Sequence, residues 1–117
     1  MKKVLIIEDD TDIVEALQIV LSEEGYDVAI TTKGDEVYKK IATYKPDVII
    51  LDLLLSGNDG SVICKSLKAD AKTTTIPVIM ISAHPGAEKA VKECGADGFI
   101  PKPFSVDTIT AAVRKFT

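Results

Sequence analysis

Val48-Ile49-Ile50-Leu51-Asp52-Leu53-Leu54-Leu55-Ser56-Gly57-Asn58-Asp59-Gly60 is the stretch on which the reading of this chain turns. An apolar, β-branched run is entered through Lys45-Pro46-Asp47 and left through a polar, glycine-containing loop, the pattern of a short strand buried on both faces. It delivers one carboxylate, Asp52, near its carboxyl end. Such an acid either ends the strand in solvent or is the reactive group of a site, and the segment alone does not choose between the two.

The flanking sequence repeats the theme. Lys2 to Glu8 is a second β-branched run, and it ends in Glu8-Asp9-Asp10. The period then changes to helical, with Ile13, Ala16, Leu17, Val20 and Leu21 as the apolar stripe and Gly25 placed to close the helix. Asp10, followed by Thr11, suits the cap of that helix. Tyr26 to Thr31 alternates as a short edge strand. Thr32 and Asp35 resemble a capping box before a helix carrying Val37, Ile41 and Tyr44, which Pro46 stops. Beyond the Asp52 loop, Val62, Ile63, Cys64 and Leu67 share a helical face. Pro77 opens the strand Val78 to Ile81, which ends in Ser82-Ala83. Ala87, Ala90, Val91 and Cys94 form a short helix stopped by Gly95. Asp97 to Pro101 is a fifth strand, followed by Lys102-Pro103-Phe104, and Ser105 caps a last helix with Val106, Ile109, Val113 and Phe116 aligned.

Strands alternating with helices in this way predict an α/β fold: one doubly wound parallel sheet of five strands with five helices on its two sides. Ligands of such sheets gather outside the carboxyl ends of the strands. Glu8 and Asp9 end the first strand, Asp52 the third, Ser82 the fourth and Lys102 the fifth, so residues far apart in sequence are expected on one edge.

The bulk properties narrow the function. A chain of 117 residues with 46% hydrophobic content and no linker composition reads as one domain, residues 1–117. A net charge of −4 speaks against direct nucleic-acid binding, which needs a basic face. No apolar run approaches the roughly 18 residues of a membrane span, and no signal-peptide pattern follows Met1-Lys2-Lys3, so the expected location is cytoplasmic. Cys64 and Cys94 fit no metal spacing and read as buried free thiols.

Carboxylates gathered at one sheet edge repel, by about 4 kcal/mol per pair at 4 Å and an effective dielectric of 20. A raised pKa, Lys102 or a divalent cation can offset this. Oxygen ligands with room for water suit Mg²⁺. A carboxylate held against that ion can act as a nucleophile on phosphorus, giving an acyl phosphate, with Lys102 and the Ser82 hydroxyl steadying the phosphoryl oxygens. Ser82 or Lys102 alone would be an ordinary strand-end group, and the sole histidine, His84, reads as a surface residue.

Taken together, V-L-I-I-E-D-D at the first strand, D-L-L-L-S-G-N-D-G around Asp52, I-S-A after the fourth strand and G-A-D-G-F-I-P-K-P-F at the fifth resemble the receiver domains of two-component response regulators, over essentially the whole chain. The resemblance implies a flavodoxin-like sheet of order 2-1-3-4-5. It implies that Asp52 accepts phosphate from a sensor histidine kinase or a histidine phosphotransfer protein. Glu8 and Asp9 would hold Mg²⁺ with Asp52 and the Leu54 carbonyl. Ser82, Lys102 and Phe99 would be the phosphoryl-contact and switch residues, and the Lys102–Pro103 bond would be cis. It further implies a signalling phosphoacceptor that assists its own phosphorylation and dephosphorylation rather than an enzyme. Output would run through the surface of the fourth helix, fifth strand and fifth helix to a downstream protein target, as a monomer or a phosphorylation-dependent dimer. Residues 1–117 read as a receiver without an effector domain, either free-standing or cut from a longer regulator.

Several positions depart from the family pattern. Ser56 stands where proline is common and should free the loop. Phe99 replaces the commoner tyrosine. Ser82 to Lys102 is about two residues short around His84-Pro85-Gly86, so the fourth helix is expected to be short or displaced. Leu54 and His84 occupy positions that tune dephosphorylation. Two alternative functions remain: a degenerate receiver acting as a non-phosphorylated interaction module, and a haloacid-dehalogenase-like phosphatase, which needs an acid where Leu54 stands. A flavin or dinucleotide site is disfavoured because Glu8-Asp9-Asp10 would repel its phosphates.

Overall fold

The structure, a computed structural model, describes residues 1–55 and 58–117. Its sheet contains β1 (Lys3–Ile7), β2 (Asp27–Thr31), β3 (Val48–Asp52), β4 (Val78–Ser82) and β5 (Gly98–Pro101), all parallel, in the order β2-β1-β3-β4-β5. The helices are α1 (Thr11–Glu23), α2 (Val37–Tyr44), α3 (Gly60–Ala69), α4 (Ala87–Cys94) and α5 (Val106–Phe116). The expected fold and strand order are therefore both present. Leu54–Leu55 and Asn58–Asp59 add a small antiparallel ribbon between β3 and α3.

The period of two along each strand sorts the core into two layers. Leu5, Ile7, Ile49, Leu51, Val78 and Met80 face one side, where Val37 and Ile41 of α2, Ile63, Cys64 and Leu67 of α3, and Val91 and Cys94 of α4 cover them. Val4, Ile6, Val48, Ile50, Ile79, Ile81 and Ile100 face the other, under Leu17 and Leu21 of α1 and Ile109 and Val113 of α5. Every residue of β3 and β4 is buried, which explains why both read as continuous apolar runs. Full burial of such side chains contributes about 1.5–3 kcal/mol each.

Helix ends follow local chemistry in most places. Asp10 caps α1, its Oδ1 accepting from the backbone N–H groups of Asp12 at 3.0 Å and Ile13 at 3.3 Å. Gly25 lies past the end of α1 at φ 89°, and Tyr26 N–H closes back on the Leu21 carbonyl at 3.1 Å. Gly95 ends α4 in the left-handed region at φ 82°, and Ser105 Oγ accepts from Thr108 N–H at 3.1 Å to open α5. The eight residues of α4 make it a short helix, as expected.

Four expectations need correction. The Thr32–Asp35 capping box does not form: a 3₁₀ turn, Gly34–Glu36, leads into α2, and neither it nor α2 has a side-chain cap. Val62 and Val106 are 64% and 58% exposed, and Ala16 is exposed too. In a helix each step turns about 100°, so Ile63, Cys64 and Leu67 fill the narrow stripe that α3 presents and Val62 falls beside it.

Candidate functional site

Strand register brings the acids together. Ile7 pairs with Leu51, so the next residues, Glu8 and Asp52, fall level on adjacent strands. The ladder runs on past the strand ends: Glu8 N–H donates to the Thr31 carbonyl at 3.2 Å, Leu53 N–H to that of Ile81 at 3.1 Å, and Lys102 N–H to that of Ser82 at 3.0 Å. Glu8, Asp52 and Lys102 also share the parity of Ile6, Ile50 and Ile100, which places all three toward the side of the sheet covered by α1 and α5.

The resulting geometry is close. One carboxylate oxygen from each of Glu8, Asp9 and Asp52 lies within 4.8 Å of the others. The Lys102 ammonium stands 3.5 Å from Glu8 Oε1 and 3.5 Å from Asp52 Oδ1. Asp52 Oδ1 also accepts from the Leu54 backbone N–H at 3.3 Å. Glu8 is fully buried and Asp52 is 5% exposed. Burial, followed by hydrogen bonding with Asp52 and repulsion from its charge, pushes the Glu8 carboxyl up to about 8, against an opposing pull from Lys102.

These residues suit a hard divalent cation. Among the described residues, Glu8 Oε2 is the buried side-chain oxygen with no hydrogen-bond partner, and it sits beside the carboxylates of Asp9 and Asp52. A dication bound by oxygen ligands resolves both the orphaned acceptor and the excess negative charge. Leu54 is 58% exposed and its hydrocarbon side chain brings no charge; its backbone lies in the ribbon opposite Asp59.

The remaining expected residues surround this centre. Ser82 is 3% exposed, and its Oγ accepts from the His84 backbone N–H at 2.9 Å. Phe99, half-buried, is level with Met80 and packs against the layer that includes α4. Ser82, His84, Ala87, Phe99 and Lys102 line a cleft of about 320 Å³ between the site and α4. The Lys102–Pro103 bond is cis. His84 is exposed, and Cys64 and Cys94 are buried free thiols, Cys64 Sγ lying 3.6 Å from the Cys94 carbonyl. Ser56, read as loosening the loop, lies outside the described residues.

Two residues that close the motif around Asp52 have roles that the sequence reading does not assign. Asp59 caps α3, accepting from Ser61 N–H at 2.9 Å and Ser61 Oγ at 2.7 Å. Gly60 N–H donates to the Leu53 carbonyl at 2.7 Å and so returns the chain to the end of β3.

Comparison with known proteins agrees with this geometry. Residues 4–114 match the response regulator receiver domain family. The DNA-binding response regulator MtrA of Mycobacterium tuberculosis is 35% identical over 115 residues, covering 97% of this chain and 49% of that protein. The alkaline phosphatase synthesis transcriptional regulatory protein PhoP of Bacillus subtilis is 38% identical over 115 residues, covering 97% and 47%. The chain thus spans about half the length of these curated relatives. Among solved structures, the signal receiver domain of a signal transduction histidine kinase from Syntrophus aciditrophicus superposes with a TM-score of 0.91 at 33% identity, covering 99% of this chain and 89% of that one. Matched by that family over nearly its whole length, the chain belongs to the receiver domains of response regulators.

Proposed function

We propose that this chain is a Mg²⁺-dependent phosphoacceptor and that Asp52 is its phosphorylation site. Asp52 attacks the phosphorus of a phosphohistidine on a sensor histidine kinase or histidine phosphotransfer protein. An O–P bond forms as the N–P bond breaks, and the departing imidazole takes a proton from solvent. Glu8, Asp9, Asp52 and the Leu54 carbonyl would hold Mg²⁺, which when bound would supply positive charge against the phosphoryl oxygens. The observation that carries this reading is Lys102 Nζ at 3.5 Å from both Glu8 and Asp52, a fixed cation beside the nucleophile.

The same groups supply the readout. A phosphoryl group adds roughly −1.5 to −2 charges at Asp52. Lys102 meets that charge, and Ser82 turns its hydroxyl proton toward a phosphoryl oxygen. Phe99 then moves into the cleft it already lines, altering the α4-β5-α5 surface offered to a downstream protein. Residues 1–117 form one receiver unit acting in the cytoplasm, and Leu54 and His84 set how fast the acyl phosphate hydrolyses. Direct nucleic-acid contact is no part of this role, in keeping with the net charge of −4.

Incubation with acetyl phosphate and Mg²⁺ tests the reading by intact mass. One phosphoryl adduct is expected on the wild type and none on Asp52→Asn or after chelation; an undiminished adduct on Asp52→Asn would refute it.

A further inference from the structure

The first turn of α3 is docked on the backbone that carries Asp52. An ideal Cβ placed on Gly60 would run into the Asp52 carbonyl oxygen and come within 2.9 Å of both the Leu53 Cα and the Leu53 carbonyl oxygen. These are main-chain atoms at the end of a fully buried strand, with no flexible tip to yield. Gly60 is helical and does not lie at positive φ, so backbone conformation does not demand glycine there; the lack of space does.

Strain introduced at Gly60 has few places to go. The rear of α3 is fixed by Lys68, whose Nζ reaches Asp97 Oδ2 at 2.6 Å, the Ile76 carbonyl at 2.8 Å and the Thr74 carbonyl at 3.1 Å. The middle is fixed by Ile63, Cys64 and Leu67 in the core. A helix held in this way cannot withdraw as a body. The Asp52–Leu54 segment is what the start of α3 meets, and beyond Leu53 it leads into a ribbon with two residues in each arm, so displacement there falls on Asp52 and Leu54.

We infer that Gly60 is a positioning residue: the bare start of α3 sets the backbone of Asp52 and Leu53, and through it the Asp52 carboxylate and the Leu54 main chain, which would hold Mg²⁺ when it is bound. The inference rests on the phosphoacceptor reading of Asp52, but its test is separable from that reading.

The test compares the full chain as wild type, Gly60→Ala, Lys68→Met, the double variant and Ile63→Val, a core control whose side chain stands away from Asp52. Mg²⁺ affinity is read from amide shifts, and the Leu54 amide is followed in metal-free protein as a report on its bond to Asp52. Gly60→Ala should move the metal-free Leu54 amide and weaken Mg²⁺ binding by roughly tenfold or more, while Ile63→Val and Lys68→Met keep wild-type affinity. Releasing the rear anchor lets the helix yield, so Gly60→Ala with Lys68→Met should regain part of the affinity despite its lower stability. Wild-type affinity in Gly60→Ala, or loss in Ile63→Val in proportion to its stability, would overturn the inference. So would failure of both Gly60→Ala forms to fold, since the core and not the Asp52 segment would then carry the strain. Acetyl phosphate labelling of the wild type runs alongside: its absence counts against the phosphoacceptor reading, whereas the Mg²⁺ comparison still decides the role of Gly60.

Discussion

Lys102 Nζ lies 3.5 Å from Asp52 Oδ1, joining the end of β5 to the end of β3 across the intervening strand β4. Its side chain is 17% exposed, so the ammonium acts in a partly dry setting where charge interactions are stronger than in water. Lys102→Ala removes the group that holds the Glu8 carboxyl down, and carboxyl NMR should show Glu8 titrating above its wild-type value near 8. The variant should still take up phosphate in the presence of Mg²⁺ but lose the amide shifts that phosphorylation causes in α4, β5 and α5. Wild-type shifts there would remove Lys102 from the readout.

The raised Glu8 pKa has a definite sign. With an ordinary value of 4.5 and a folded value of about 8, Glu8 favours the fold fully below pH 4.5, and this contribution is lost as pH rises through 8. Mg²⁺ competes with that proton, so its apparent affinity should climb between these limits. The rise in melting temperature caused by Mg²⁺ is expected to be larger at pH 8 than at pH 6. Glu8→Gln should raise the metal-free melting temperature at pH 8 and flatten the Mg²⁺ effect.

Asp10 separates capping from metal binding. It accepts from Asp12 and Ile13 at the start of α1, so Asp10→Ala should cost about 1 kcal/mol in denaturant unfolding. Mg²⁺ affinity should stay near wild type, whereas Asp9→Ala should lose it. Equal losses of affinity in the two variants would contradict the assignment of roles among the three consecutive acids.

Lys68 tests the opposite end of the sheet. Its side chain is 15% exposed and serves Asp97 together with two carbonyls of the segment leading into β4. Lys68→Met should lower stability by about 1–3 kcal/mol, more than an exposed ion pair because the two carbonyls lose their donor as well. Urea unfolding measures this.

The sheet was legible because β-branched runs and a helical period alternate along the chain, and because the acids, Ser82 and Lys102 each stand at the end of a run. The chemistry of the site followed from that placement. Gly60 and Lys68 were not legible: one matters for space against the backbone of Asp52 and Leu53, the other for a partner 29 residues away in sequence at Asp97, and neither leaves a local pattern. The start of α2 misled because Thr32 and Asp35 have capping spacing while the chain there takes a 3₁₀ turn. Val62 and Val106 misled because an apolar residue beside a short stripe is hard to phase from a single turn or two.

The most direct measurement is reductive trapping of the labelled protein. After reaction with acetyl phosphate and Mg²⁺, borohydride converts an aspartyl phosphate to homoserine, and peptide mass mapping locates it. Homoserine at position 52 alone is the expected result. Homoserine at Asp9, Asp10 or Asp59, or none in a protein that binds Mg²⁺, would contradict the assignment of Asp52 as the phosphoacceptor.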